Sequence, residues 1–213
     1  MFELMLARLG PQHWWPAENE LEMMVGAVLT QNTNWKNVEK AIGNLKDDGC
    51  LSLPALSAMT TDELARRIRP AGYYQVKAKR LKNLVHFLAG RYDSDISSFL
   101  ADDTGSLREG LLGVKGIGPE TADSILLYAV RRPVFVVDAY TYRILNRHGL
   151  VEGRTDYGEL QDLFMEHLPE DMGLFNEFHA LIVKTAKEYC RRRPLCGQCP
   201  LERWAELPRL TDS

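Results

Sequence analysis

The chain has 213 residues, enough to bury a core in one domain or two small ones, and no apolar run approaches the roughly twenty residues of a membrane span. A formal charge of −3 excludes a uniformly polycationic nucleic-acid binder, although the cations are clustered, and local fields rather than net charge attract phosphates. Of the four cysteines, three crowd the C-terminus. That spacing is not the framework of a disulfide-stapled secreted domain and suits a reduced, cytosolic compartment, with a metal site as one use for the thiols.

Residues 1–10 are amphipathic and lack a secretory-leader pattern. His13-Trp14-Trp15-Pro16 follows; paired indoles near a terminus, taken alone, read as packing residues. Apolar residues then recur at helical spacing over 21–29, 38–45, 64–68, 78–88 and 107–112, and again over 122–130, 140–145, 160–168 and 175–186. Thr60-Thr61-Asp62-Glu63 and Thr155-Asp156 carry helix-start chemistry. The one strand-like run, 134–137, is short, so the expected fold class is all-α. Between the helices lie three cationic groups: Arg66, Arg67 and Arg69; Lys77, Lys79, Arg80 and Lys82; and Arg191, Arg192 and Arg193. Any one of them alone reads as a solvated helix face.

The most informative stretch is LGVKGIGPETADSILLYAV at 112–130, followed by VFVVDAYTYRILNRHG at 134–149. Its first half predicts a helix–hairpin–helix centred on Gly116-Ile117-Gly118, whose backbone N–H groups suit a phosphate oxygen. Its second half delivers Asp138 at the start of a helix, where it can serve as N-cap and stays ionised at neutral pH. Near DNA, such a carboxylate would stabilise the positive charge that builds on a sugar when an N-glycosidic bond breaks, and could orient the attacking water.

Hairpin and aspartate together resemble the helix–hairpin–helix superfamily of DNA base-excision glycosylases, residues 136–149 matching its V-D-x-x-x-x-R-x-x-x-R-x-G pattern. The resemblance spans almost the whole chain. It implies a two-domain fold of the endonuclease III type: a six-helix barrel over 22–132 carrying the hairpin at about 105–130, and a helical domain from 1–21 and 133–213. Asp138 falls at the family's catalytic aspartate. In bifunctional members the second residue after the hairpin's last glycine is a Schiff-base lysine; here Glu120 stands there, and a carboxylate cannot form an imine. Lys115 is offset from that place and is expected, with Gly116 and Gly118, to meet the DNA backbone. Residues 29–35 resemble the L-[ST]-x-Q stretch, whose glutamine, here Gln31, fills the gap left by a flipped nucleotide. Residues 72–78 resemble G-[LFY]-[YF]-x-x-K-A, which makes Tyr73 the wedge and Lys77 a phosphate contact.

The W-W-P sequence with Trp35 beyond Q-N-T looks like the 3-methyladenine DNA glycosylase branch. Trp14, Trp15, Pro16 and Trp35 are therefore the expected base pocket, where indole faces would attract a cationic alkylated purine. The expectation is a monomeric, cytoplasmic, monofunctional glycosylase acting on damaged double-stranded DNA. Alternatives are an endonuclease III-like enzyme for oxidised or mismatched pyrimidines, and a non-catalytic DNA-binding module. Many relatives close the 190–205 region with four cysteines around a [4Fe–4S] cluster. Here Cys190, Cys196 and Cys199 are present, but the first spacer is one residue short and the fourth place falls on Ala205. A cluster with another fourth ligand, a zinc site and a lost cluster all remain open on sequence. The arginines at 191–193 are expected on the DNA backbone.

Overall fold

Residues 1–204 are described by a computed structural model; Ala205 lies outside them. In chain order the helices are α1 (Phe2–Leu9), α2 (Glu20–Thr30), α3 (Trp35–Asp47), α4 (Leu53–Ala58), α5 (Thr61–Arg67) and α6 (Tyr74–Tyr92). They continue as α7 (Ile96–Ala101), α8 (Thr104–Gly113), α9 (Pro119–Ser124), α10 (Ala139–Arg147), α11 (Tyr157–Met165) and α12 (Met172–Glu188). Among the described residues there is no strand, and 134–137 is extended but unpaired. The chain is all-α, as its periodicity predicts. It divides into two compact units, one of residues 15–132 and one of residues 1–14 with 133–204.

Local chemistry explains where the helices begin. Thr60 and Glu63 form a reciprocal capping box at α5, and Asp156 with Glu159 forms another at α11. The six-residue α4 and α7 are too short to show a period in sequence, yet Ser52 and Asp95 cap them. In the 15–132 unit, α2 is buried from Leu21 to Leu29 and apolar there but for Glu22, which pairs with Lys46, the pattern of a central helix. It packs on α3, α6 and α9, and α9 runs on into a π-helical turn, Ile125–Ala129.

The other unit is built on phenylalanines. Phe135 stacks on Phe164 at 3.9 Å between centroids and meets Phe175 and Phe178 edge-on. Phe178 in turn packs on Phe2, which ties α1 to α12. The extended run ending at Val137 is buried because Phe135, Val136 and Val137 all enter this core. Gln161 Nε2 donates to the Phe135 carbonyl at 2.7 Å, satisfying backbone that no strand partner reaches.

Candidate active site and nucleic-acid interface

Asp138 is the N-cap of α10. Its Oδ1 accepts from the Thr141 N–H at 2.8 Å and the Thr141 hydroxyl at 3.0 Å. Because α10 packs on α12, His179 Nε2 lies 3.7 Å from Asp138 Oδ2, and both side chains are nearly buried. Burial is the largest influence on this carboxyl and pushes its pKa up. The interactions with the His179 ring and the Thr141 donors together outweigh it, so the group is held below the ordinary carboxylate range. The site thus keeps a negative charge in a largely desolvated place, where its field acts on a nearby cation with little screening. His179 went unnoticed in sequence because α12 reads there as a core helix.

The same unit holds a cationic aromatic group. Lys187 Nζ lies 5.7 Å from the Trp14 ring centre and 5.8 Å from that of Tyr140, and the Arg143 guanidinium lies 5.0 Å from Tyr140 on its own account. Arg143 also donates to the Ala186 carbonyl. Trp14 is therefore packed with Lys187, which the sequence had not linked to it.

Trp15 belongs to the other unit. It meets Trp35 edge-on, centroids 5.0 Å apart, and packs on Tyr128 at 5.1 Å. The indole lies against Gly26 on α2, a Cβ there falling at an ordinary contact distance of 3.5 Å from it. Tyr128 sits on the π-helical turn, a departure from regular helix that often accompanies a functional site. It escaped notice because it lies in an apolar run. Of the four expected pocket residues, the structure brings Trp15 and Trp35 together with Tyr128. Trp14 lies in the unit with Asp138, and Pro16 is exposed.

The hairpin forms as its glycines predict. Ile117 turns inward and its N–H bonds to the Val114 carbonyl at 3.0 Å, leaving Lys115, Gly116 and Gly118 exposed. Gly116 has φ +98°, and a Cβ there would run into the Arg80 side chain at Cγ, so only glycine fits. Pro119 opens α9 and exposed Glu120 follows in its first turn, where the helix dipole favours an acid. Below the turn, Arg108 on α8 clamps the buried Asp123 on α9 with two bonds, 2.7 and 3.1 Å. Gln31 Nε2 donates to the Gly116 carbonyl at 3.1 Å and to Thr121 Oγ1 at 2.9 Å, while its Oε1 accepts from Arg80 Nη1.

Tyr73 projects from a left-handed backbone, φ +47°, and is 73% exposed; Val76, one turn on, is also exposed. Lys77 is a correction. Instead of reaching outward to a phosphate, it is 2% exposed, and Nζ donates to the carbonyls of Leu29 and Ala71 at 2.8 and 2.7 Å. Burial, with the charge of Arg80 adding to it, pushes this amine down to about 8. Lys82 is similarly committed, closing the end of α4 with bonds to Leu56, Ser57 and Met59. Half of that cationic cluster is internal scaffolding.

In the C-terminal loop Arg191, Arg192 and Arg193 are exposed. Arg147 holds the loop from beneath, donating to the carbonyls of Arg191 and Arg192 and to Cys190 Sγ. Burial pushes the Cys199 thiol up, with neighbouring Cys190 and Cys196 adding to the effect. Among the described residues no group of three or more His, Cys, Asp or Glu converges to hold a metal. Cys190, Cys196 and Cys199 are one thiolate short of the four that a [4Fe–4S] cluster normally takes, and no step below is routed through a cluster.

Residues 25–170 match the family of HhH-GPD superfamily base excision DNA repair proteins. A Methanocaldococcus jannaschii protein, assigned only provisionally by its own name to DNA repair glycosylases, is 46% identical over 95% of this chain and 92% of its own length. Endonuclease III of Thermotoga maritima is 29% identical over 88% of this chain and 83% of that one. Among solved structures, the 3-methyladenine DNA glycosylase MagIII of H. pylori, bound to 1,N6-ethenoadenine, is 32% identical with a TM-score of 0.72, over 88% of this chain and 97% of that chain. A non-covalent endonuclease III–DNA complex superposes with a TM-score of 0.81 at 22% identity, over 95% and 90% of the two chains, which shows the shared fold. The chain belongs to the HhH-GPD superfamily of base excision repair proteins and is a DNA glycosylase of the endonuclease III superfamily.

Proposed function

We propose that this glycosylase hydrolyses the N-glycosidic bond of alkylated purines, 3-methyladenine foremost, in double-stranded DNA, and that it leaves an abasic site without cutting the strand. The observation that carries the reading is Asp138, a nearly buried carboxylate kept ionised by Thr141 and His179. An N-alkylated purine is a cation and already an activated leaving group, so the enzyme need supply charge stabilisation and an oriented water rather than a strong acid. The Trp15, Trp35 and Tyr128 rings suit stacking against such a base. The similarity to the H. pylori 3-methyladenine glycosylase, whose structure holds a modified adenine, points the same way. Tyr73 is the wedge of this mechanism, and Lys115, Gly116, Gly118 and the 191–193 arginines meet the backbone of the duplex.

Incubation with methylated duplex DNA is expected to release free methylpurine. Release of oxidised pyrimidines or mismatched thymine instead, with no methylpurine, would favour the endonuclease III-like alternative. Tight binding to damaged DNA with no base released at high enzyme would make the chain a binding module.

Glu120 at the place of the Schiff-base lysine supports the monofunctional assignment. Borohydride added during turnover is expected to trap no enzyme–DNA adduct. A covalent adduct on a gel would show that another amine, Lys115 being nearest in sequence, acts as a lyase nucleophile.

A further inference from the structure

Lys77, Arg80 and Asn83 are spaced three apart on α6 and share one face of it. Each reaches a different segment of the proposed DNA-handling surface. Lys77 joins the end of α2 to the turn that carries Tyr73, through Leu29 and Ala71. Arg80 holds Gln31, and its aliphatic stem lies over Gly116 where a Cβ would otherwise be. Asn83 Nδ2 donates to the Lys115 carbonyl at 2.8 Å. One helix face therefore sets the spacing of the wedge turn, the Gln31 loop and the hairpin.

Gln31 is the centre of this arrangement. Both amide hydrogens and one lone pair are used within the protein, two bonds running to the hairpin side and one to Arg80. An amide so fully engaged is not a free probe. It is fixed in register with the hairpin turn, and it is Arg80 that orients it.

We propose that Arg80 is a positioning residue for base flipping: by packing over Gly116 and holding Gln31, it fixes the Gln31 loop and the hairpin in one register, and it is not a phosphate contact. The proposal rests on the glycosylase reading above, but its test need not depend on which base is removed. A duplex carrying 2-aminopurine beside a tetrahydrofuran abasic analogue reports unstacking by fluorescence whether or not chemistry follows. Single-turnover base release at saturating enzyme is measured in parallel.

Arg80→Met keeps the stem over Gly116 and removes the bond to Gln31. It is expected to cut both the fluorescence rise and the saturating release rate about tenfold, the scale of one charge-assisted hydrogen bond. The salt dependence of duplex binding should keep its slope. Gln31→Ala should cause a similar loss, and the double variant should be little worse than either single one, because the two side chains act through one contact. Arg80→Lys, which keeps the charge but ends one atom short of the Nη1 that bonds Gln31, should show the same flipping defect and serves if Arg80→Met melts early. A salt slope reduced by about one with saturating release unchanged would make Arg80 a phosphate contact and overturn the proposal. Unchanged fluorescence and release would overturn it equally. If wild-type protein releases no methylpurine while the fluorescence still falls in Arg80→Met, the substrate assignment fails and the positioning role stands.

Discussion

Asp138→Asn is expected to lower single-turnover base release at least about 10²–10³-fold, the range seen when a transition-state electrostatic partner is removed. The substitution is well suited to the question because asparagine can still accept from the Thr141 N–H, so the cap on α10 survives. Thermal stability should therefore change by about 1 kcal/mol or less, while Asp138→Ala, which removes the cap as well, should cost about 1 kcal/mol more. DNA affinity should hold or rise, since a negative charge has been removed beside a polyanion. Release by Asp138→Asn at the wild-type rate would end the catalytic assignment. The sign of the pH dependence follows from the depressed carboxyl. Asp138 is ionised throughout the neutral range, its stabilising contribution is complete above the ordinary aspartate value of about 3.9, and it is lost as acid takes the pH down through the lower folded value. Wild-type activity should accordingly show no Asp138-dependent loss between about pH 5 and about pH 8.

The second large effect concerns stability. Lys77→Met should destabilise the protein by about 3 kcal/mol, because the carbonyls of Leu29 and Ala71 lose their donor in a closed site. Relief from burying the ammonium offsets part of that cost. For a chain of this size the melting temperature should fall by roughly 6–12 °C. The salt slope for duplex binding should be unaltered, since Lys77 does not reach solvent. A variant with unchanged melting temperature and a slope smaller by about one would restore Lys77 to the phosphate backbone, where its sequence motif puts it.

That lysine shows what the sequence could and could not convey. Local signals carried through: the Gly116-Ile117-Gly118 turn, Pro119 opening α9, the Thr60 and Asp156 capping boxes and the N-cap position of Asp138 all depend on residues a few places apart. What depends on tertiary packing did not. A sequence records that Lys77 and Lys82 are cations but not that the ends of α2 and α4 present carbonyls to them. Tyr128 lies within an apolar helical run and is distinguished only by the π-helical turn, which has no sequence period of its own. His179 becomes legible as a partner of Asp138 only once α10 lies on α12. Trp14 and Trp15, adjacent in sequence and expected to act together, fall in different units.

Tyr73 has a consequence of another kind. A left-handed backbone at a non-glycine residue costs an L-amino acid about 1–2 kcal/mol, whereas the preceding Gly72 carries its own positive φ, +66°, without penalty. At 73 that conformation is combined with a phenol ring that is 73% exposed and so gains little from packing within the protein. At this exposed point the free protein is thus held slightly above its own best conformation. Under the function proposed, the missing compensation comes from outside the molecule: bases that stack on the ring when the duplex opens. A strained residue of the unbound enzyme is then one whose position its substrate improves.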